Sequence, residues 1–171
     1  MIFKIRKKMY EIVNDYALTS CIGDTLFKVA HIRNGFYFYN TRGEQIAQLT
    51  FNRNEARISV PHVITNVPTI ITVARDEIGN FYFSYDTNTP DDNAYISSVV
   101  PSNDGAELTI WGNLVKYSFD IYEGPSLSAS VVPVLDDPAH YMIKLEEQAN
   151  ILQMVMMVIA LETLNDGIVF K

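Results

Sequence analysis

The side chains in this chain that could do acid–base or metal chemistry are few and scattered. The histidines are His31, His62 and His140, and no two have the spacing of four that would place them on one face of a helix as a metal pair. Each reads as a structural or surface residue, with His62, after Pro61, at a strand end. One local cluster joins acid to imidazole: Asp136, Asp137 and His140 carry ligand types that suit a divalent metal. The same Asp-Asp-Pro run is also an ordinary turn, with Pro138 fixing φ, and the turn reading is preferred. Asp86, Asp91 and Asp92 offer oxygen ligands for calcium but lack the spacing of a calcium loop. Glu162 lies at the far end of an apolar run, where it reaches the mouth of whatever encloses that run. Met154, Met156 and Met157 read as adaptable core packing and not as copper ligands.

Sequence motifs for covalent and nucleotide chemistry are absent. There is no Gly-x-Ser-x-Gly elbow, no phosphate-binding loop and no dinucleotide fingerprint. Cys21 is the sole cysteine, so no internal disulfide and no cysteine-based zinc site can form, and its apolar neighbour Ile22 marks it as a small buried residue. Lys4, Arg6, Lys7 and Lys8 are the one dense basic cluster. On a strand, alternation puts Lys4, Arg6 and Lys8 on one face and Lys7 on the other. Such a patch could touch an anionic surface, but lysine on an edge strand also blocks edge-to-edge pairing, and that reading is preferred. The net charge of −7 disfavours nucleic acid and anionic membranes as partners of the whole molecule.

The element that must organise the rest is the run Ile151–Leu161, in which only Gln153 is polar. Leu, Met and Ala favour a helix, Asn150 is a possible N-cap, and Asn165-Asp166-Gly167 is a suitable stop. The spacing predicts a helix over about 150–164. Val155, Val158 and Ile159 keep a buried strand as the alternative. A helix apolar on every side needs protein or lipid all round it. The run of eleven residues would rise only about 16 Å, far short of a bilayer core of about 30 Å. It is therefore expected inside the protein. With no leader-like segment and no apolar window long enough to span a membrane, the chain is expected in the cytoplasm.

Upstream the pattern is alternation punctuated by turns, the mark of an antiparallel sandwich or barrel. Asn34-Gly35 is a strong two-residue hairpin signal, and a strand pair is expected around Asn14-Asp15 from Tyr10, Ile12, Tyr16 and Leu18. A repeat is visible. Tyr16, Leu18, Gly23, Leu26 and Val29 match Phe36, Phe38, Gly43, Ile46 and Leu49; Tyr117, Phe119, Gly124 and Leu127 make a third, shorter copy. Ten to twelve strands are too many for a comfortable open sheet. A barrel removes the edges, and a wide barrel needs its lumen filled. The expected fold is mainly β: a closed antiparallel barrel of about twelve strands enclosing the C-terminal helix. The expected organisation is one domain over 1–171, with strands in 1–145.

The chain resembles the LURP-one-related proteins, which share the Tubby C-terminal-like fold with phospholipid scramblases. The resemblance rests on Tyr141, Ile143 and Leu145 as a last strand and on Ile151 to Glu162 as a closing helix. It rests also on Ile110-Trp111-Gly112-Asn113 with Tyr117 to Tyr122 as a later hairpin, and on Phe36 to Leu49 as an early one. It implies a closed barrel of about twelve strands around a C-terminal helix. Tubby relatives bind phosphoinositides through basic side chains, but no motif here matches those positions.

The function expected from this reading is a non-catalytic barrel domain that binds a protein partner with its exterior. A helix in the lumen leaves little room for a carried ligand. The alternatives are a peripheral membrane or lipid-headgroup module, using a basic surface patch of Lys4, Arg6 and Lys8, and an uncharacterised enzyme. No catalytic residue, cofactor or metal is expected.

Overall fold

Alternating apolar residues bury one face of a strand only if something apolar lies behind it, and here that object is the C-terminal helix. In the computed structural model, residues 1–12, 14–20, 23, 25–61, 68–79, 81–87, 98–100, 108–147, 150–168 and 170 are described. The strands are β1 (Ile2–Arg6), β2 (Tyr16–Ser20), β3 (Thr25–Ile32), β4 (Gly35–Tyr39), β5 (Gln45–Asn52), β6 (Glu55–Pro61) and β7 (Pro68–Arg75). They continue as β8 (Phe81–Thr87), β9 (Ser98–Val100), β10 (Leu108–Asn113), β11 (Ser118–Glu123), β12 (Ser126–Pro133) and β13 (His140–Leu145). Helix α1 (Ile151–Asn165) follows.

Every strand belongs to one antiparallel sheet ordered β10-β11-β12-β13-β1-β2-β3-β4-β5-β6-β7-β8-β9. Chain neighbours are sheet neighbours almost throughout. The break falls between β9 and β10, and the two runs of strands are joined by β1, which pairs with β13 from Ile2↔Lys144 to Arg6↔His140 as well as with β2. The sheet curls into a nearly closed barrel, with β9 and β10 at the two ends of the ladder.

Inward positions alternate as the pleat requires. Phe3 and Ile5 of β1, Leu49 and Phe51 of β5, Ile58 of β6, Ile71 and Val73 of β7, and Ile143 of β13 are all buried. Outward neighbours such as Lys28, Arg57 and Lys144 are exposed. Within α1, Leu152 and every residue from Met154 to Leu164 are buried, which leaves the helix without a solvent face. It packs chiefly against β6, β7 and β13. Its ends are made as expected: the Asn150 side chain accepts a hydrogen bond from the Gln153 amide at 3.0 Å, and Gly167 takes φ 67° just past the last turn. No helix among the described residues is long and apolar enough to cross a membrane.

The repeat is real in two of its copies. Tyr16 pairs with Val29 and Phe36 with Leu49, and both hairpins shift register at the equivalent step, Leu18/Thr19 and Phe38/Tyr39. The third hairpin differs, pairing Phe119 with Val131 and shifting later, at Ile121/Tyr122. Two local expectations fail. Tyr10 is not in a strand but in a short 3-10 turn, Met9–Glu11, because Lys8 takes φ 58° and ends the extended run. The hairpin at Asn34-Gly35 turns one residue earlier: Ile32 pairs with Gly35, so Arg33 and Asn34 make the loop. Gly35 serves instead as a point of close approach, since a Cβ there would lie 1.9 Å from the Leu49 carbonyl oxygen. Cys21, Ile22, His62, Asp91 and Asp92 lie outside the described residues, as do the side chain of Asp86 and most of the polar stretch 86–93.

Candidate functional site

The last turn of α1 places Glu162 and Asp166 one above the other, four residues apart, at the end of the helix where the backbone dipole already repels negative charge. Donors from other elements offset this. One oxygen of Glu162 accepts the Lys8 amide at 3.1 Å, and the other accepts the Tyr117 hydroxyl. The Tyr10 hydroxyl donates to Asp166 at 2.6 Å. Glu162 is only 7% exposed. Burial pushes its pKa up, the Tyr117 and Lys8 hydrogen bonds pull it back, and Asp166 pushes it up again. Tyr117 and Tyr10 are raised by burial first and then by the carboxylates they bind.

Further aromatic and basic groups complete this mouth of the barrel. The Lys7 ammonium sits 4.5 Å from the centre of the Tyr117 ring, and Tyr117 lies 5.1 Å from the ring of Tyr141. Tyr141 is fully buried and its hydroxyl has no hydrogen-bond partner among the described residues. Burial drives its pKa well above the ordinary tyrosine value. Arg75 donates a long 3.4 Å hydrogen bond to the Leu164 carbonyl. Among the described residues, the non-glycine ones with left-handed φ are Lys8, Arg53 and Tyr117. Lys8 and Tyr117 hold Glu162, while Arg53 lines a cleft with Leu164. Backbone strain among the described residues is thus gathered around the end of the helix.

The expected basic patch is rearranged. Lys4 points out from β1 but binds Asp137 at 2.8 Å. The turn at Lys8 breaks the alternation, so Arg6, Lys7 and Lys8 together line a cleft of about 390 Å³ with Glu11, Ile12 and Asn14. The acid–histidine cluster forms only in part. His140 Nδ1 lies 2.9 Å from the Asp137 oxygen that Lys4 also holds, within ion-pair range but off the axis of a hydrogen bond, while Asp136 is exposed. Lys4 first and then His140 hold the Asp137 carboxyl down to about 2. Among the described residues no three His, Cys, Asp or Glu side chains converge as a metal site would need. His31 packs against the rings of Phe36 and Phe170.

A second feature lies where the sheet ends. Among the described residues β10 pairs with β11 alone, and β9 reaches β8 only at Tyr85 to Thr87. Between β8 and β10 lies a cleft of about 630 Å³ whose walls include Phe81, Phe83, Ile110, Trp111 and Leu114. Trp111 is 70% exposed. Nothing in the local sequence pattern marked this cleft, because it depends on which strands are left at the two ends of the ladder. The Glu162–Asp166 spacing at a helix end with no basic residue in its last turn was a readable signal for the mouth.

No family model matches the chain, and no curated protein matches it. Its structure is similar to the X-ray structure of a protein from Arabidopsis thaliana, with a TM-score of 0.61 at 13% identity, covering 96% of this chain and 90% of that one. A likeness at that identity speaks to the fold alone, and a nearly closed antiparallel barrel around a C-terminal helix fits the Tubby-like fold.

Proposed function

We propose that this chain is a LURP-one-related protein acting in the cytoplasm as a non-catalytic module, and that it binds a protein partner through the cleft between β8 and β10. The observation behind the reading is the division between a filled inside and an apolar opening outside. Met154 to Leu161 occupy the lumen at 1% exposure or less. The seam instead presents Trp111 with Phe81, Phe83 and Ile110 beside a strand edge that is unpaired among the described residues. Exposed tryptophan next to apolar walls is the usual composition of a binding hot spot. An unpaired strand edge adds backbone donors and acceptors for an extended segment. Capture from native cell extract with wild type and Trp111→Glu tests this. The expected result is a partner held by wild type and lost by the variant at unchanged melting temperature. Equal capture by both would remove the seam as the docking surface.

A second reading, a lipid-headgroup contact, draws on the grouping of Arg6, Lys7 and Lys8 around one cleft. Flotation with anionic vesicles at low salt tests it: binding lost in an Arg6→Glu, Lys8→Glu variant supports it, and absence of flotation by wild type ends it.

A further inference from the structure

We propose that the cleft between the β5–β6 turn and the end of α1 is a carboxylate-binding site, gripped by Arg53 and Arg75. The cleft has a volume of about 190 Å³, and its walls include both arginines with Asn54, Asp76, Glu77 and Leu164. Neither arginine forms an ion pair among the described residues. Arg75 is half-buried, and its Nε is fully buried without a hydrogen-bond partner among the described residues, while one terminal nitrogen makes the long contact to Leu164. A buried guanidinium N–H left unmade is costly, and an acceptor bound in the cleft would relieve it by drawing the Nε edge of the guanidinium round to face it.

Arg53 supplies the independent observation. It sits in the turn between Asn52 and Glu55, which pair with each other, and holds φ 56°. Asparagine or glycine would occupy that conformation with less strain. A cation kept where the backbone disfavours it points to a task for the charge.

The surroundings select the anion. Asp76 is engaged, one oxygen accepting the Ile78 amide at 3.0 Å and the other the Tyr82 hydroxyl at 3.1 Å, but it and Glu77 still place negative charge beside the cleft. The carbonyl end of α1 adds more. A dianionic phosphate would meet this repulsion twice over. A singly charged planar carboxylate matches the guanidinium fork and fits the volume, about that of six liquid waters. It could be a free small acid or an acidic side chain of a protein. The site uses other residues than the seam and stands whether or not the seam binds a partner.

The test reads the Arg75 Nε–H resonance, which burial should make slow to exchange, while full-length protein is titrated at constant ionic strength. The probes are acetate, a doubly capped glutamate, inorganic phosphate and chloride. The expected result is a saturating shift with a carboxylate, weaker by about tenfold or more in Arg53→Asn, whose fold should melt no lower than wild type. Tighter binding of the capped glutamate would assign the site to an acidic side chain, and acetate equal or tighter would assign it to a free acid. Shifts no larger than those from chloride, tighter binding of phosphate than of either carboxylate, or unchanged affinity in Arg53→Asn would each overturn the proposal.

Discussion

Glu162 is the residue through which pH should act on this fold. Its folded pKa lies above the ordinary 4.5 because it is buried, so the folded chain holds its proton more tightly than the unfolded chain does. Stability from this group is therefore fully present below about pH 4.5 and is lost as pH rises through the folded value. Glu162→Gln should remove that slope while keeping an acceptor for the Lys8 amide and a polar partner for Tyr117. Urea midpoints measured between pH 4 and 8 on both proteins check it, and a slope that survives the substitution would place its source elsewhere. Asp137 acts in the opposite sense: its depressed pKa gives stability present above about 3.8 and lost as pH falls toward about 2, so the two groups govern different pH windows. Tyr141 allows a second residue-level prediction. Its buried hydroxyl has no partner among the described residues, so Tyr141→Phe should raise stability by about 1 kcal/mol, where an ordinary buried tyrosine would lose it. A loss on that substitution would reveal a hydrogen bond to the hydroxyl.

At the scale of elements, the helix was legible because its signal is chemical and continuous: an apolar run, a cap at Asn150 and a stop at Gly167. Asn150→Ala should cost about 1 kcal/mol, an effect of the cap alone, since the end of the helix it serves is otherwise fixed by burial. Equilibrium unfolding measures it, and no loss would mean that packing already holds the helix start. Strands were legible in number and in alternation, and the offset of twenty residues between Tyr16–Val29 and Phe36–Leu49 corresponds to identical register. The third copy differed in sequence only in lacking an apolar residue at its last position, Ser130, and that did not foretell its register, which depends on where a strand absorbs its extra residue. The same limit hid the mouth. Lys8 and Tyr117 lie 154 and 45 residues from Glu162, and only the left-handed turn at Lys8 brings its amide to the helix. Alternation put Lys8 on the face of Lys4, and a single change of φ moved it.

The whole molecule inverts the usual economy of a β-barrel. Wide barrels enclose a ligand or water; this one encloses its own chain, so α1 completes the core of the strands that precede it. The barrel cannot bury Ile58, Ile71 and Ile143 without α1, and α1, lacking a polar face, cannot stand in water without the barrel. Mutual dependence of this kind predicts one cooperative unfolding transition. It also predicts that an empty chamber exists only when made by substitution. Met156 is fully buried at the middle of α1, and Met156→Ala should cost about 2–5 kcal/mol and leave an apolar void. Such a void stays dry and takes up a small apolar guest. Benzene should therefore raise the melting temperature of Met156→Ala toward that of wild type and leave wild type unmoved. If benzene stabilises wild type to the same extent, the lumen already holds accessible space, and a ligand-carrying role regains the ground that the helix denies it.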